Sequence, residues 1–243
     1  MMGMGGHVEI FPDPATLALY VAEWITAEAL ASKGPFRVSL SGGPTPKALY
    51  EVLGADPWRA RFPWQRVLWF WGDERFVPYS HPESNYRMIR EAMLANVQVP
   101  PENLYPVPVE GTPEEAALCY EQILQETYGR SVLDPEKPFF DISLLGLGPD
   151  GHTASLLPGE PVLQERQRWV AVVPHGRPEV RITMTYPVLE SSRQAAFLVA
   201  GEEQAAVLAA IHNGKSGVPA ARLRPVGRLL WFLDRAAASQ TRL

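Results

Sequence analysis

The sequence has a single cysteine, Cys119, so no disulfide can form within the chain. Its neighbours, AALCYEQIL, predict a position in the core of a helix. The chain also has no leading apolar segment of signal length, and no run near the ~20 apolar residues that span a bilayer. These absences predict a cytoplasmic protein. At 243 residues, a chain buries roughly 70% of its extended surface on folding and needs no disulfide or metal for stability.

Positive charge is neither dense nor interleaved with aromatic residues, and the net charge is −5, which argues against nucleic acid as a partner. His7, His81, His175 and His212 lie in predicted termini, loops or a helix end. None of them pairs with another, or with Cys119, at metal-ligand spacing, so no metal site is expected. No extended apolar surface stretch stands out, and we expect a monomer.

Strand and helix signals alternate along the chain, which predicts an α/β fold: a doubly wound, mostly parallel open sheet with helices on both faces. Its proline-rich segments are too short to be domain linkers, so residues 1–243 are expected to form one domain whose tail, 236–243, frays. The predicted strands are 8–11, 38–40, 67–71, 141–145, 169–173, 181–185, 196–200 and 229–233. The predicted helices are 14–32, 46–53, 84–94, 112–128 and 202–212.

The most informative segment is LLGLGPDGHTASLLPG, residues 144–159, which begins within the predicted strand DISLL. Active sites in open α/β sheets lie outside the carboxyl ends of the strands. A histidine on a loop of small residues at that position can accept a proton near neutral pH. His152 is therefore the predicted catalytic residue, and the alternative is a core histidine that bonds only to the backbone.

Gly146, Gly148 and Gly151 match the pattern G-x-G-x-x-G of dinucleotide-binding loops. However, Asp150 would place a negative charge beside the pyrophosphate, and Pro158 breaks the segment before the long helix that should follow. The next apolar run also ends in Pro-His rather than in the acid that binds a ribose. No nicotinamide or flavin cofactor is expected.

A second glycine-containing segment, SGGPTP, follows the strand 38–40 and opens a helix. The adjacent Gly42 and Gly43 let successive N–H groups converge on an anion, and the helix N-terminus adds partial positive charge. Ser41 and Thr45 supply hydroxyl donors. These four residues predict an oxyanion or phosphate site, with an ordinary tight turn as the alternative.

Charged and polar residues also follow the strand 67–71. Asp73 and Arg75 lie outside the core, either in a solvated loop or in the same cleft, and Asn85 sits in the first turn of the next helix, where its amide can reach that cleft. Arg181 starts the buried run RITMT. An arginine in such a position either points to solvent or binds an anion with both arms of its guanidinium.

Four segments, in this order, resemble the family of 6-phosphogluconolactonase and glucosamine-6-phosphate deaminase/isomerase. They are SGGPTPKALYEVL, WGDERFVPYSHPESNYRMIREAML, DISLLGLGPDGHTASLLPG and VRITMTYPVL. The resemblance covers residues 8–233. It implies a doubly wound sheet and a phosphorylated sugar lactone as the partner molecule. The implied activity is cofactor-free hydrolysis of 6-phosphogluconolactone to 6-phosphogluconate, in the oxidative pentose phosphate pathway.

Two positions refine what the resemblance implies. In the deaminase branch an acid precedes the Pro-Gly of the histidine motif and assists ring opening, whereas this chain has Leu157, which favours the lactonase.

The family usually has a lysine at the position of Gln204, where it contributes to phosphate binding. Gln204 donates a hydrogen bond but carries no charge. The phosphate site is therefore expected to depend more on Arg181 and the two glycines, or on Arg177.

The implied mechanism is general-base hydrolysis. His152, as neutral imidazole, removes a proton from water and returns it to the ring oxygen, while Asp150 or a nearby carbonyl orients the imidazole. Backbone N–H groups of the glycine-rich loops, helped by Arg75, stabilise the oxyanion. Asp73 is expected to bind a hydroxyl or act as a second acid–base group. A non-catalytic sugar-phosphate-binding protein is the remaining alternative.

Overall fold

The computed structural model describes residues 5–214 and 217–241. At its centre lies a seven-stranded, wholly parallel sheet in the order β1-β10-β9-β6-β2-β3-β5. Its strands are β1 (His7–Phe11), β2 (Phe36–Leu40), β3 (Val67–Trp71), β5 (Leu104–Tyr105), β6 (Phe140–Leu145), β9 (Ser192–Val199) and β10 (Arg228–Asp234).

The helices begin where the sequence supplies capping groups. Asp13 accepts the N–H of Thr16 at the start of α1, and Thr112 forms a capping box with Glu115 at the start of α5. The helices are α1 (Pro14–Ala31), α2 (Pro44–Leu53), α3 (Trp58–Arg61), α4 (Asn85–Ala92), α5 (Pro113–Tyr128), α6 (Tyr186–Glu190) and α7 (Ala205–His212). Residues 202–204, predicted as part of the last helix, form a separate 3-10 turn.

The central strands are covered on both faces. Every residue of β9 except Arg193 is buried, and so is every residue of β6 except the half-buried Asp141. A parallel strand buried on both sides is typical of a doubly wound sheet. The predicted fold class is confirmed.

A second, three-stranded antiparallel sheet was not predicted. It consists of β4 (Asp73–Arg75), β8 (Arg181–Met184) and β7 (Val170–Val173), in that order. The sequence predicted the last two runs as strands of one mostly parallel sheet, which is wrong in their direction and sheet. It predicted no strand at Asp73 to Arg75, which were expected either in a solvated loop or in the cleft. Short buried runs have the same apolar pattern in either strand direction, and β4 owes its conformation to pairing with β8.

One local prediction was also wrong. Cys119 is exposed rather than in a helix core, because Ala116, Ala117 and Tyr120 form the buried face of α5. The tail 236–243, expected to fray, is described up to residue 241: Asp234 accepts the N–H of Ala237 at 2.7 Å, and Ala237 and Ala238 are buried. Residues 242 and 243 lie outside the described residues.

The order of the strands creates a crevice. From β2 the chain continues to β3 and β5 on one side, and it then returns to β6, β9 and β10 on the other. The connections that leave β2 and β6 therefore diverge at the carboxyl ends of the strands, where open α/β sheets bind ligands. Within the described ranges, no helix combines the length and apolar character needed to cross a membrane.

Candidate active site

A cavity of about 300 Å³ opens at this crevice. It lies beyond the carboxyl ends of β2, β6 and β9 and is bordered by β4 and β8. All predicted site residues except Asp150 line it: Ser41, Gly42, Gly43, Thr45, Asp73, Arg75, Asn85, His152, Arg181 and Gln204. The structure thus brings residues from five separate segments of the sequence into one pocket.

The loop after β6 places His152 through a tight turn. The N–H of Gly148 donates to the carbonyl oxygen of His152 at 2.9 Å, and the N–H of Gly151 donates to that of Gly148 at the same distance. A Cβ added at Gly148 would overlap the imidazole of His152. The glycine pattern therefore makes room for a side chain of the protein itself. No long helix follows it: β7 is preceded only by the 3-10 turn Pro161–Gln164.

Asp150 lies behind the imidazole. Its Oδ1 is 2.5 Å from Nδ1 of His152, and its Oδ2 accepts from the guanidinium of Arg177 at 2.6 Å. Burial raises the pKa of Asp150, but the bonds from Arg177 and His152 outweigh it and lower that pKa to about 2. A carboxylate this close to Nδ1 requires a proton between the two atoms. In the neutral imidazole, Nε2 of His152 is then the nitrogen with the free lone pair.

The side chain of Tyr50 holds the loop after β2 through two hydrogen bonds to Ser41. The Tyr50 hydroxyl accepts the N–H of Ser41 at 3.0 Å and donates to the carbonyl oxygen of the same residue at 2.8 Å. The Ser41 hydroxyl accepts the N–H of Gly146 at 3.2 Å and so joins the two loops. Gly43, at φ +100°, starts α2, whose first turn has no acidic residue and no side-chain cap. Pro44 and Pro46 have no N–H, so at this helix start the N–H groups of Gly43 and Thr45 are the ones that can face an anion.

Asp73 and Glu74 have different surroundings, although they are adjacent. Asp73 lines the pocket, where its Oδ2 accepts from Ser155 at 2.7 Å and its backbone oxygen accepts from the amide of Asn85 at 3.0 Å. Glu74 points away from it and accepts the backbone N–H groups of Arg75, Asn85 and Tyr86 at 2.7–2.8 Å. Glu74 thus attaches β4 to the first turn of α4.

The buried position of Glu74 raises its pKa to about 7, despite the three N–H bonds, which act in the opposite direction. The hydroxyl of Ser84 also donates to it, at 3.1 Å. Both pocket residues Arg75 and Asn85 depend on this carboxylate for their backbone position. The sequence pattern DER did not distinguish Glu74 from its neighbours.

Arg75 and Arg181 lie directly opposite each other across the β4–β8 pair. Arg75 donates to the carbonyl oxygen of Glu83 at 2.6 Å and to its carboxylate at 3.1 Å. In the part of the chain that the structure describes, the side chain of Arg181 has one ion-pair partner, the carboxylate of Glu179 at 3.9 Å. Burial and the charge of Arg75 lower the pKa of Arg181. Among the described residues, neither Nε has a partner. Two like charges held together at a pocket attract an anion.

Gln204 lines the pocket just before α7, beside Glu203. With its amide oriented to donate, its nitrogen bonds to the carbonyl oxygens of Ala200 at 3.0 Å and Gly201 at 3.2 Å. Arg177, the alternative phosphate ligand in the sequence analysis, does not line the pocket and is bound to Asp150.

Several pocket residues were not predicted: Gly146, Leu147, Gly148, Pro149, Thr153, Ala154 and Glu203. Ala154 adopts a left-handed conformation, at φ +48°, which is rare for a residue with a side chain. This turn directs Ser155 toward Asp73. Thr153 and Ala154 could have been predicted as pocket residues from their position directly after His152, because residues that follow a histidine at a strand end lie on the same loop.

The fold and pocket define a doubly wound α/β protein with a polar pocket, lined by two arginines, at the carboxyl ends of its strands. The family model described as glucosamine-6-phosphate isomerases/6-phosphogluconolactonase matches residues 12–231, so the chain belongs to that family.

Individual relatives agree with this assignment. The chain is 39% identical to a 6-phosphogluconolactonase of Nostoc sp. over 96% of its length and 97% of the relative's. The structure matches that of a 6-phosphogluconolactonase from Trypanosoma cruzi with a TM-score of 0.85 at 29% identity, covering 100% of this chain and 99% of the other. A monomeric glucosamine-6-phosphate deaminase matches with a TM-score of 0.80 at 21% identity, covering 96% and 99%, which shows a shared fold alone.

Proposed function

We propose that this protein hydrolyses 6-phospho-D-glucono-1,5-lactone to 6-phospho-D-gluconate, and is thus a carboxylic ester hydrolase. The observation that carries the proposal is the pair of His152 and Asp150 at the edge of a pocket that also holds two arginines. The pair supplies a general base, and the arginines suit an anionic substrate. The relative from Nostoc is named for this activity.

In the proposed reaction, Nε2 of His152 takes a proton from water while the water oxygen bonds to the lactone carbonyl carbon. The tetrahedral oxyanion is stabilised by Arg75 and by N–H groups of the glycine-containing loops. When the bond from this carbon to the ring oxygen breaks, His152 returns the proton to that oxygen, which leaves a free hydroxyl and a carboxyl group. Arg181 and the uncapped start of α2 bind the distant phosphate. Asp73, held by Ser155, binds a sugar hydroxyl.

The deaminase activity named in the family description is the second candidate. It is disfavoured by Leu157, which is fully buried at the position where that branch has an acid. A leucine cannot move a proton, so ring opening would lack its assisting group.

Acid release from freshly prepared lactone, corrected for spontaneous hydrolysis, tests the proposal. His152→Ala should lower kcat about 10²–10⁴-fold with little change in product affinity, because it removes the general base and no binding group. His175→Ala is the matched control, since His175 is exposed and outside the pocket. If the wild type binds product but does not exceed the spontaneous rate, the protein is a non-catalytic sugar-phosphate binder.

A further inference from the structure

The loop between β7 and β8 brings an arginine behind the imidazole rather than into the pocket. Arg177 donates from one nitrogen to Asp150 Oδ2 at 2.6 Å and from the other to the carbonyl oxygen of Gly176 at 2.7 Å. The first of these nitrogens also lies 3.3 Å from Nδ1 of His152. Both arms of the guanidinium are therefore engaged within the protein.

We propose that Arg177 is a positioning residue, which holds the Asp150 carboxylate in the orientation that keeps the proton of His152 on Nδ1 and leaves Nε2 free to accept. The proposal rests on the proposed function for its kinetic consequence, but its structural content does not depend on the substrate.

The two carboxylate oxygens of Asp150 accept hydrogen bonds from different residues. Oδ1 accepts both from Nδ1 and from the backbone N–H of His152, while Oδ2 accepts from Arg177. The side chain of Asp150 is 36% exposed, so water competes for both oxygens. A carboxylate that is anchored only through Oδ1 can rotate about its terminal torsion, which is soft for aspartate. The ion pair with Arg177 opposes that rotation.

The loop that carries Arg177 lies close to the side chain of Leu157. Gly176 is left-handed at φ +82°, and a Cβ on it would lie 3.1 Å from Cδ1 of Leu157. Leu157 is buried, and it belongs to the same segment as His152. The loop that carries Arg177 therefore passes close to the segment of His152, and a side chain at position 176 would have to displace Leu157.

The kinetic test separates this role from phosphate binding. A phosphate ligand acts equally on ground and transition states, so its loss raises KM, whereas a group that orients the base acts on kcat. Arg177→Ala should lower kcat about 10-fold or more with KM nearly unchanged, as is typical when the partner of an oriented histidine is lost. Arg177→Lys should recover part of kcat, since lysine keeps the charge but not the planar fork.

Two matched variants complete the kinetic comparison. Arg181→Ala should show the opposite pattern, a raised KM with kcat retained. His175→Ala changes an exposed residue of the same loop and should leave both constants unchanged. If Arg177→Ala raises KM and retains kcat, Arg177 is a phosphate ligand and the proposal is wrong.

Nitrogen-15 NMR of the His152 ring provides a readout that needs no substrate. At neutral pH the wild type should show the tautomer with the proton on Nδ1, and Arg177→Ala should show a mixture of tautomers. An unchanged tautomer together with unchanged kcat would overturn the proposal. If the wild type proves inactive on the lactone, the proposed function fails, and the NMR comparison alone still decides the role of Arg177.

Discussion

Gly148 shows at the scale of one residue how the site depends on an absent side chain. A Cβ at this position would overlap the imidazole of His152, whereas a Cβ at Gly146 would meet its nearest neighbour, Oγ of Ser41, at 3.4 Å. The first contact requires movement, and the second is an ordinary van der Waals distance. Two glycines of one motif therefore have different structural requirements.

Gly148→Ala should consequently lower kcat by displacing His152 from Asp150, and we expect a loss of about 10-fold or more. Gly146→Ala should lose much less, since its Cβ fits the space that is present. Acid release from the lactone measures both, and circular dichroism verifies that each variant folds. Equal losses in the two variants would show that the imidazole tolerates the displacement.

The residues predicted from the sequence gather in one pocket because carboxyl ends of parallel strands meet at one edge of a sheet. Position along the chain was therefore enough to place His152, Asp73 and the Ser41 loop together. The direction of individual side chains could not be predicted in the same way. Glu74 and Arg177 turn away from the pocket because of partners that are distant in sequence or on another loop.

At the scale of elements, helix α4 is attached to the active site through one carboxylate. Glu74 accepts N–H groups from β4 and from the first turn of α4, at a place that water does not reach. Asn85, the first residue of α4, in turn donates to the backbone of Asp73. The strand, the helix and the pocket wall form one hydrogen-bonded unit.

Glu74 should make stability depend on pH. Its folded-state pKa of about 7 lies above the ordinary value of 4.5, so between these values the unfolded chain releases a proton that the folded protein retains. The free energy of unfolding should therefore fall as pH rises from 4.5 to 7, by at most about 3 kcal/mol from this residue.

Urea unfolding across this range measures the dependence. Glu74→Gln removes the titrating group, so the difference in unfolding free energy between wild type and this variant should shrink as pH rises. Glu102→Gln, which removes an exposed carboxylate, should follow the wild-type slope. A difference between wild type and Glu74→Gln that stays constant with pH would contradict the raised pKa.

The antiparallel sheet shows that strands could be predicted from the sequence, but their direction and the sheet to which they belong could not. The runs RITM and VAVV were correctly expected to be strands, but an apolar run indicates burial and not direction. Gly72 explains the change of sheet in the structure. Its N–H donates to Leu40 of the parallel sheet at 2.9 Å, and its carbonyl oxygen accepts from Met184 of the antiparallel sheet at 2.8 Å. No local sequence signal indicates such a junction.

For the whole molecule, the charges are distributed unevenly. The chain carries a net charge of −5, and the pocket lining combines two arginines, Arg75 and Arg181, with two carboxylates, Asp73 and Glu203. Salt screens the long-range repulsion of an anionic substrate by the chain differently from its local attraction by the arginines. Gln204, at the position where the family resemblance implies a lysine, is a place to test which effect dominates.

Gln204→Lys should tighten binding of 6-phosphogluconate by up to about 1 kcal/mol at low salt, because a cation beside the pocket attracts the phosphate and the carboxylate. The gain should decline as salt is added. Glu136→Gln, on an exposed loop, makes the same change in net charge away from the pocket and should have a much smaller effect. Calorimetric titration at two salt concentrations measures all three proteins. Unchanged or weaker binding in Gln204→Lys would mean that the arginine pair already supplies the required charge, so that a further cation adds only repulsion.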